Sequence, residues 1–268
     1  ECIVVDDGST DRTPVILGEL AAKDARVKPL RIRHSGIVEA LNAGVNAATG
    51  EIIARMDADD ICLPFRFQKQ IDYLDQHPEC VAVGTEVMLV DPFGSPLWRI
   101  EVKAEHEHID VNLLSGDGWA MFHPTTMLRK KAVLEVGGYR AQYQWAEDMD
   151  LFLRLAEVGR LANIQEVMLH YRQHFASVNR TKLEIQRHRS ERVIIEAYRR
   201  RGLTMPANFQ LHMTPQLTRY EQVRAWGQRA LMTGNVAAAR RHALAALRFE
   251  PLRYDSWSLI YHAVIPNR

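Results

Sequence analysis

Two hydrophobic periods alternate along the chain, and their order predicts its elements. Ile3-Val4-Val5 is a short continuous apolar run, the pattern of a strand buried on both faces. Asp6-Asp7-Gly8-Ser9-Thr10-Asp11 follows as a turn. Thr10 or Asp11 can cap the next helix, and Pro14 suits its first turn. That helix extends to about Ala25, with Val15, Ile16, Leu20 and Ala21 on one face. A second strand is expected over 27–33, a helix over 37–48 closed by Gly50, and a third strand over 51–56. Pro64 opens a helix reaching about His77. Residues 80–90 are a long β-rich run, and a turn at 91–96 leads to a strand over 97–102. This alternation predicts an α/β fold: a mostly parallel sheet flanked by helices on both faces.

The pattern then loosens. A short helix is expected over 106–115, a strand over 125–128, and a helix over 130–136 ending at Gly137-Gly138. After Trp145-Ala146-Glu147-Asp148 comes a strongly patterned helix with Met149, Leu151, Phe152, Leu155 and Ala156 on its apolar face. A last strand over 167–172 precedes a loop with His174 and Ser177. Beyond Lys182 the period is helical only: 183–200, a linker over 202–215 containing Pro206, then 217–232, 236–247 and a final helix after Pro251. Ala230, Gly234, Ala238, Ala245, Ala246 and Pro251 have the spacing of one tetratricopeptide-like hairpin. The expected division is an α/β domain over 1–180 and an all-α C-terminal extension over 181–268.

Charge sharpens that division. The formal net charge is +1, yet residues 1–181 hold 19 Lys+Arg against 27 Asp+Glu, and residues 182–268 hold 15 against 6. The acidic part suits metal binding; the basic part could face acidic lipids, a polyanion or the other domain. Nucleic acid is not expected as a partner. Peripheral membrane contact through the basic helices stays open, although Tyr254, Trp257 and Tyr261 are expected to pack, with Arg248 and Arg253 beside them. Cys2, Cys62 and Cys80 form no zinc pattern and argue against a disulfide framework, so a cytoplasmic setting is expected, with the inner face of the membrane as a variant. No apolar run approaches membrane-spanning length. The first residues already lie in an apolar run, which leads us to expect an N-terminal truncation.

Candidate chemistry centres on Arg55-Met56-Asp57-Ala58-Asp59-Asp60. Three carboxylates so close together are unfavourable unless they share a cation. Mg²⁺ or Mn²⁺ with a diphosphate fits such a cluster; a solvated acidic turn is the plain alternative. Ligands of open α/β sheets bind outside the carboxyl ends of the strands. Asp6-Asp7 and Asp57-Asp59-Asp60 both fall at such ends, so they could converge on one ligand. Glu147 and Asp148 begin a helix, where acids stabilise the dipole by about 0.3–1 kcal/mol.

Taken together, Val5-Asp6-Asp7-Gly8-Ser9-Thr10-Asp11, Leu41-Asn42-Ala43-Gly44, Gly50-Glu51-Ile52-Ile53-Ala54, Met56-Asp57-Ala58-Asp59-Asp60 with Pro64, and Glu147-Asp148 closely resemble family 2 glycosyltransferases of the Rossmann-like GT-A fold. The resemblance spans about residues 1–180. It implies a nucleotide-sugar donor, usually a UDP-sugar, a divalent ion, and a glycan, lipid-linked or other hydroxyl acceptor. By the resemblance Asp7, beside Asp6, recognises the donor base, Asp59 ligates the metal, and Asp57 lies near the ribose or the metal. Asp148 is the catalytic base and Glu147 its neighbour on the acceptor side. His123, in Phe122-His123-Pro124-Thr125-Thr126, lines the acceptor side, and His174 can approach the diphosphate and metal. Trp145 is a core or rim aromatic, with acceptor stacking as the lesser reading. The family's first strand and helix are absent, and its Arg-Asn pair reads Leu41-Asn42. No Q-x-x-R-W motif appears, which favours single-sugar transfer over polymer synthesis. Inverting transfer needs one carboxylate at the acceptor hydroxyl and a separate acidic cluster at the leaving diphosphate. Two other readings remain: a nucleotidyltransferase or pyrophosphorylase, and a non-catalytic carbohydrate- or partner-binding module.

Overall fold

The first strand, β1 (Cys2–Asp6), is followed by helix α1 (Thr13–Lys23) and by β2 (Val27–Arg31), which lies parallel to β1 with Cys2 opposite Val27 and Asp6 opposite Arg31. This is the βαβ crossover that the alternation predicts. The computed structural model describes residues 1–175, 182–211 and 217–265; Ser177 and the end of the 202–215 linker lie outside them. Helix α2 (Ile37–Ala47) packs on β1, with Gly44 against the Val5 side chain.

The larger sheet has six strands. Its order is β3 (Ile52–Ala54), β7 (Met127–Arg129), β5 (Cys80–Val90), β8 (Arg160–Arg172), β4 (Ile61–Cys62), with β6 (Pro96–Ile100) also paired to β5. Only β5–β8 is parallel here; the other four pairings are antiparallel. The α/β architecture is the expected one, but the strand directions are more mixed than the expected mostly parallel sheet. The short Asp91–Ser95 turn forces β5 and β6 to be antiparallel. Sheet β1–β2 is hydrogen-bonded to none of the other strands. With a single neighbour, Ile3, Val4 and Val5 are only half-buried, which corrects the expectation of a strand covered on both faces.

Helices α3 (Arg66–Gln76), α4 (His106–Ser115), α5 (Lys130–Glu135) and α6 (Glu147–Leu155) cover the larger sheet. Strand β5 is buried along almost its whole length, as a central strand should be. The expected apolar face of α1 is not buried: Val15, Ile16 and Leu20 are exposed, and Leu17 is its buried residue.

The helical extension joins the same cores. Helix α7 (Leu183–Arg200) places Val193, Ile194 and Ala197 in one cluster with Ile109, Leu113 and Leu153. Helices α8 (Arg219–Met232), α9 (Val236–Phe249) and α10 (Tyr254–Val264) form the second cluster with Val87, Leu89 and Leu97. Thr218 and Glu221 make a reciprocal capping box at the start of α8, and Asn235 caps α9. Ala230, Ala238 and Ala246 are fully buried where the hairpin closes. Gly227 is required there, since a Cβ would stand 2.7 Å from Leu259 Cδ2. The fully buried Asp91 carboxylate fastens this unit to the sheet. Asp91 Oδ2 accepts from Arg241 at 2.9 Å and from His242 Nε2 at 2.8 Å, while its Oδ1 accepts the Phe93 and Ser95 amides. Tyr254, Trp257 and Tyr261 do not pack: all three are more than half exposed, because Ser256, Leu259 and Ala263 form the buried face of α10.

Candidate active site

The end of β3 brings Arg55 out of the sheet with its amide bonded to Thr126 O at 2.9 Å. The guanidinium then turns back onto Asp57 and grips both carboxylate oxygens, at 2.7 and 2.6 Å. Burial opposes the Arg55 charge, but the Asp57 pair more than offsets it and raises its pKa; Tyr139 and Asp148 add to the effect. Arg55 therefore stands among Asp57, Tyr139 and Asp148. The site depends on it, and the sequence reading quoted it without giving it a role. Its position directly before the acidic cluster was the available signal. Below it, buried Arg66 donates to Arg55 O at 2.8 Å and to Gln70 at 3.0 Å, and Gln70 in turn bonds Val83 O and Thr125 O. This chain of bonds ties the strand end to α3 and to the central strand.

Asp59 and Asp60 point elsewhere. Asp59 is half-exposed, and His174 Nε2 lies 3.1 Å from its Oδ2. Arg172 binds this loop twice, its Nε donating to Asp59 O and its amide to Asp60 Oδ1. Burial first, then the charges of Asp57 and Asp59, push the buried Asp60 carboxyl up to about 7. The residue that follows this loop and precedes α3, Phe65, takes a left-handed backbone (φ +65°) with its ring exposed.

Asp148 opens α6 from the other side. Its Oδ1 accepts the Met149 amide at 2.8 Å. Burial raises its pKa, opposed by that bond and by the Arg55 charge. Burial, then Asp148, pushes neighbouring Glu147 up to about 7. Glu147 Oε2 accepts the amide of Trp145, whose left-handed φ of +76° is strained for a bulky residue. Trp145 is half-buried. The loop before it is held by Arg189 of α7, which donates to Gln144 O.

His123 is buried, its Nε2 2.7 Å from Tyr139 OH and its ring edge-on to Phe152. Burial, then Arg55, drives its pKa well below the usual value, so it is neutral. Asn42 makes a reciprocal pair with the Tyr139 backbone, at 2.8 and 2.9 Å, which gives this side chain a structural task.

Asp6 and Asp7 are engaged by backbone. Asp6 Oδ1 accepts the Ser9 amide at 2.8 Å, and bonds to Ser9 hold its pKa low. Asp7 accepts the Ser35 and Gly36 amides at 2.7 and 2.9 Å, at the start of α2. Gly36 (φ +92°) lies against Gln144, so the Asp7 loop adjoins the loop before Glu147.

Among the described residues no cluster of three or more His, Cys, Asp or Glu could hold a metal. Both Asp57 oxygens are committed to Arg55. Asp59 keeps a half-exposed carboxylate, and a hard divalent ion is commonly held by one or two carboxylates together with phosphate oxygens and water. Four buried atoms here have no hydrogen-bond partner: Asp6 Oδ2 at the end of β1, and Arg55 Nε, Asp60 Oδ2 and Arg66 Nη1 around the end of β3. Unpartnered buried polar atoms at strand ends fit a site completed by ligand.

The fold is α/β with acids at strand ends and a further carboxylate at the start of α6, and it is of the GT-A kind. The sequence model of "Glycosyl transferase family 2" matches residues 1–138, and the chain belongs to that family. It is 33% identical over 188 residues to the amylovoran biosynthesis glycosyltransferase AmsE of Erwinia amylovora, covering 68% of each chain. It is 34% identical over 178 residues to the putative glycosyltransferase EpsE of Bacillus subtilis, covering 65% of this chain and 62% of that one. The fold matches the crystal structure of S. aureus TarS with a TM-score of 0.54 at 16% identity, over 98% of this chain and 49% of TarS. The chain is thus a glycosyltransferase, and the nucleotidyltransferase and non-catalytic readings fall away. No helix among the described residues is long and apolar enough to cross a membrane.

Proposed function

We propose that the protein transfers a single sugar, with inversion, from a nucleotide-sugar donor, taken to be a UDP-sugar, to a hydroxyl of a growing surface polysaccharide or lipid-linked glycan. One observation carries this reading. Its carboxylates are divided between an exposed one beside His174 and a half-buried one at the start of α6, with the Arg55–Asp57 pair set next to the latter. Asp148 is the general base that takes the proton from the acceptor hydroxyl, a role worth about 10²–10⁴-fold. Arg55 opposes protonation of that carboxyl by its charge and fixes Asp57 for the donor's ribose. Asp59 and His174 would hold Mg²⁺ or Mn²⁺. Such an ion supplies charge stabilisation to the departing diphosphate when bound. Asp6 and Asp7 shape the nucleotide side, Asp7 by holding the start of α2. Trp145 and Glu147 shape the acceptor side, and His123 positions Tyr139 behind them. The name of AmsE, an amylovoran biosynthesis glycosyltransferase, supports an acceptor in polysaccharide biosynthesis.

A screen of nucleotide sugars with Mn²⁺, read by released nucleoside diphosphate, tests the reading. A UDP-sugar should be turned over slowly by the wild-type chain and not by Asp59→Ala. Turnover of no nucleotide sugar by the wild-type chain, with or without added metal, would overturn it.

A further inference from the structure

Helix α10 buries Ser256, Leu259 and Ala263 and turns the opposite side outward. Leu252 is 97% and Tyr254 83% exposed, and Trp257, Tyr261 and Ile265 are each more than half exposed. Positions 254, 257, 261 and 265 fall within one stripe of a 3.6-residue helix. So many large apolar side chains on one outward stripe mark an interaction surface, since scattered single exposures would be unremarkable. The Trp257 indole N–H already donates to Pro251 O at 2.8 Å, so what its ring offers outward is hydrocarbon.

The charge around the stripe selects the partner. Residues 219–265 hold seven Arg against three acids, Glu221, Glu250 and Asp255. Asp255 is neutralised by Arg224 at 2.7 Å, and Glu221 is committed to the capping box with Thr218. Arg248, at the end of α9, and Arg253, directly before α10, are both exposed, the Arg253 guanidinium lying over the Tyr220 ring. Tryptophan, tyrosine and long basic side chains around an apolar ridge match the boundary between lipid headgroups and acyl chains. A second copy docking on this face would set arginines against arginines. A stable interface also needs about twenty residues per partner, more than one helix edge provides.

We propose that α10 and the turn before it dock the protein on an anionic lipid surface, the apolar stripe entering the headgroup region while Arg248 and Arg253 meet lipid phosphates. On the proposed function, the site would then work next to the membrane, since Arg172 links the Asp59–Asp60 loop to Pro92, beside the Asp91 that holds the helical unit. The docking itself does not depend on which sugar is moved.

The test uses the whole chain and phosphatidylcholine vesicles made with and without phosphatidylglycerol. The chain should co-sediment only when the anionic lipid is present, and high salt should release it. Trp257→Ser with Tyr261→Ser, and separately Arg248→Glu, should each weaken binding by about tenfold or more. Both variants should keep the wild-type melting curve and the wild-type rate on soluble donor and acceptor. Absence of vesicle binding by the wild-type chain would overturn the proposal, and so would binding that the variants leave unchanged. Self-association that disappears in Trp257→Ser/Tyr261→Ser, without vesicle binding, would assign the stripe to a second copy instead.

Discussion

Asp59 and Asp148 look alike in the sequence, each within a short acidic run, yet the fold gives them opposite surroundings. Asp59 stands half in solvent beside His174 on a loop that Arg172 fastens. Asp148 is desolvated at a helix start, beside Glu147 and within the field of Arg55. Solvent access leaves the first able to take a ligand. Burial raises the proton affinity of the second, which suits a base. The proposed roles therefore rest on environment, and residue type alone does not distinguish them.

The strongest way to break the comparison is to remove the exposed partner. Asp59→Ala should lower transfer by about 10²–10³-fold, the scale of a lost transition-state stabiliser, and should abolish metal-dependent donor binding in a titration. Arg55→Gln acts next. It removes the charge that opposes protonation of Asp148, so that pKa rises further. A base works deprotonated, so the acid limb of the pH–rate profile should move to higher pH, with activity near neutrality down by about tenfold. An unmoved limb would detach Arg55 from Asp148.

A smaller effect bears on stability. Asp91→Ala removes the buried carboxylate that fastens α9 to the sheet and leaves buried His242 without its partner, at a cost of about 1–3 kcal/mol, read as a lowered melting temperature. The smallest concerns Glu147. Its carboxyl holds its proton more tightly folded than unfolded, so the stabilisation is fully present at low pH and is lost as pH rises from the ordinary glutamate range through about 7. Glu147→Gln should flatten that decline in a series of denaturant melts; an unchanged slope would show that Glu147 is not the group responsible.

Much of this was legible beforehand where the physics is local. The run at β5, the helix at α4 and the long helix α7 follow from periodicity alone, and their ends fall where Pro, Gly and charge place them. Strand β8 was legible only in its second half, because Asn163, Gln165 and Glu166 interrupt the apolar pattern where the register with β5 shifts. Strand direction was not readable, since apolar runs look the same in parallel and antiparallel pairs. The apolar faces of α1 and α10 illustrate the same limit: periodicity reports that a face is apolar, and tertiary packing decides whether it is covered. At the site, the acids were visible as a pattern, whereas the Arg55–Asp57 grip and the strained Trp145 were not: each rests on a side-chain contact only two residues long, which hydrophobic periodicity does not report. His123 shows the converse. Its motif pointed to the acceptor side, and its burial against Tyr139 and Phe152 gives it a packing task.

The central claim is that proton transfer and diphosphate handling reside on different carboxylates. Donor affinity and transfer rate measured together on Asp148→Asn test it most directly. The account predicts donor affinity within about twofold of wild type and transfer lower by about 10²–10⁴-fold. Transfer at the wild-type rate, or loss of donor binding in step with transfer, would contradict it.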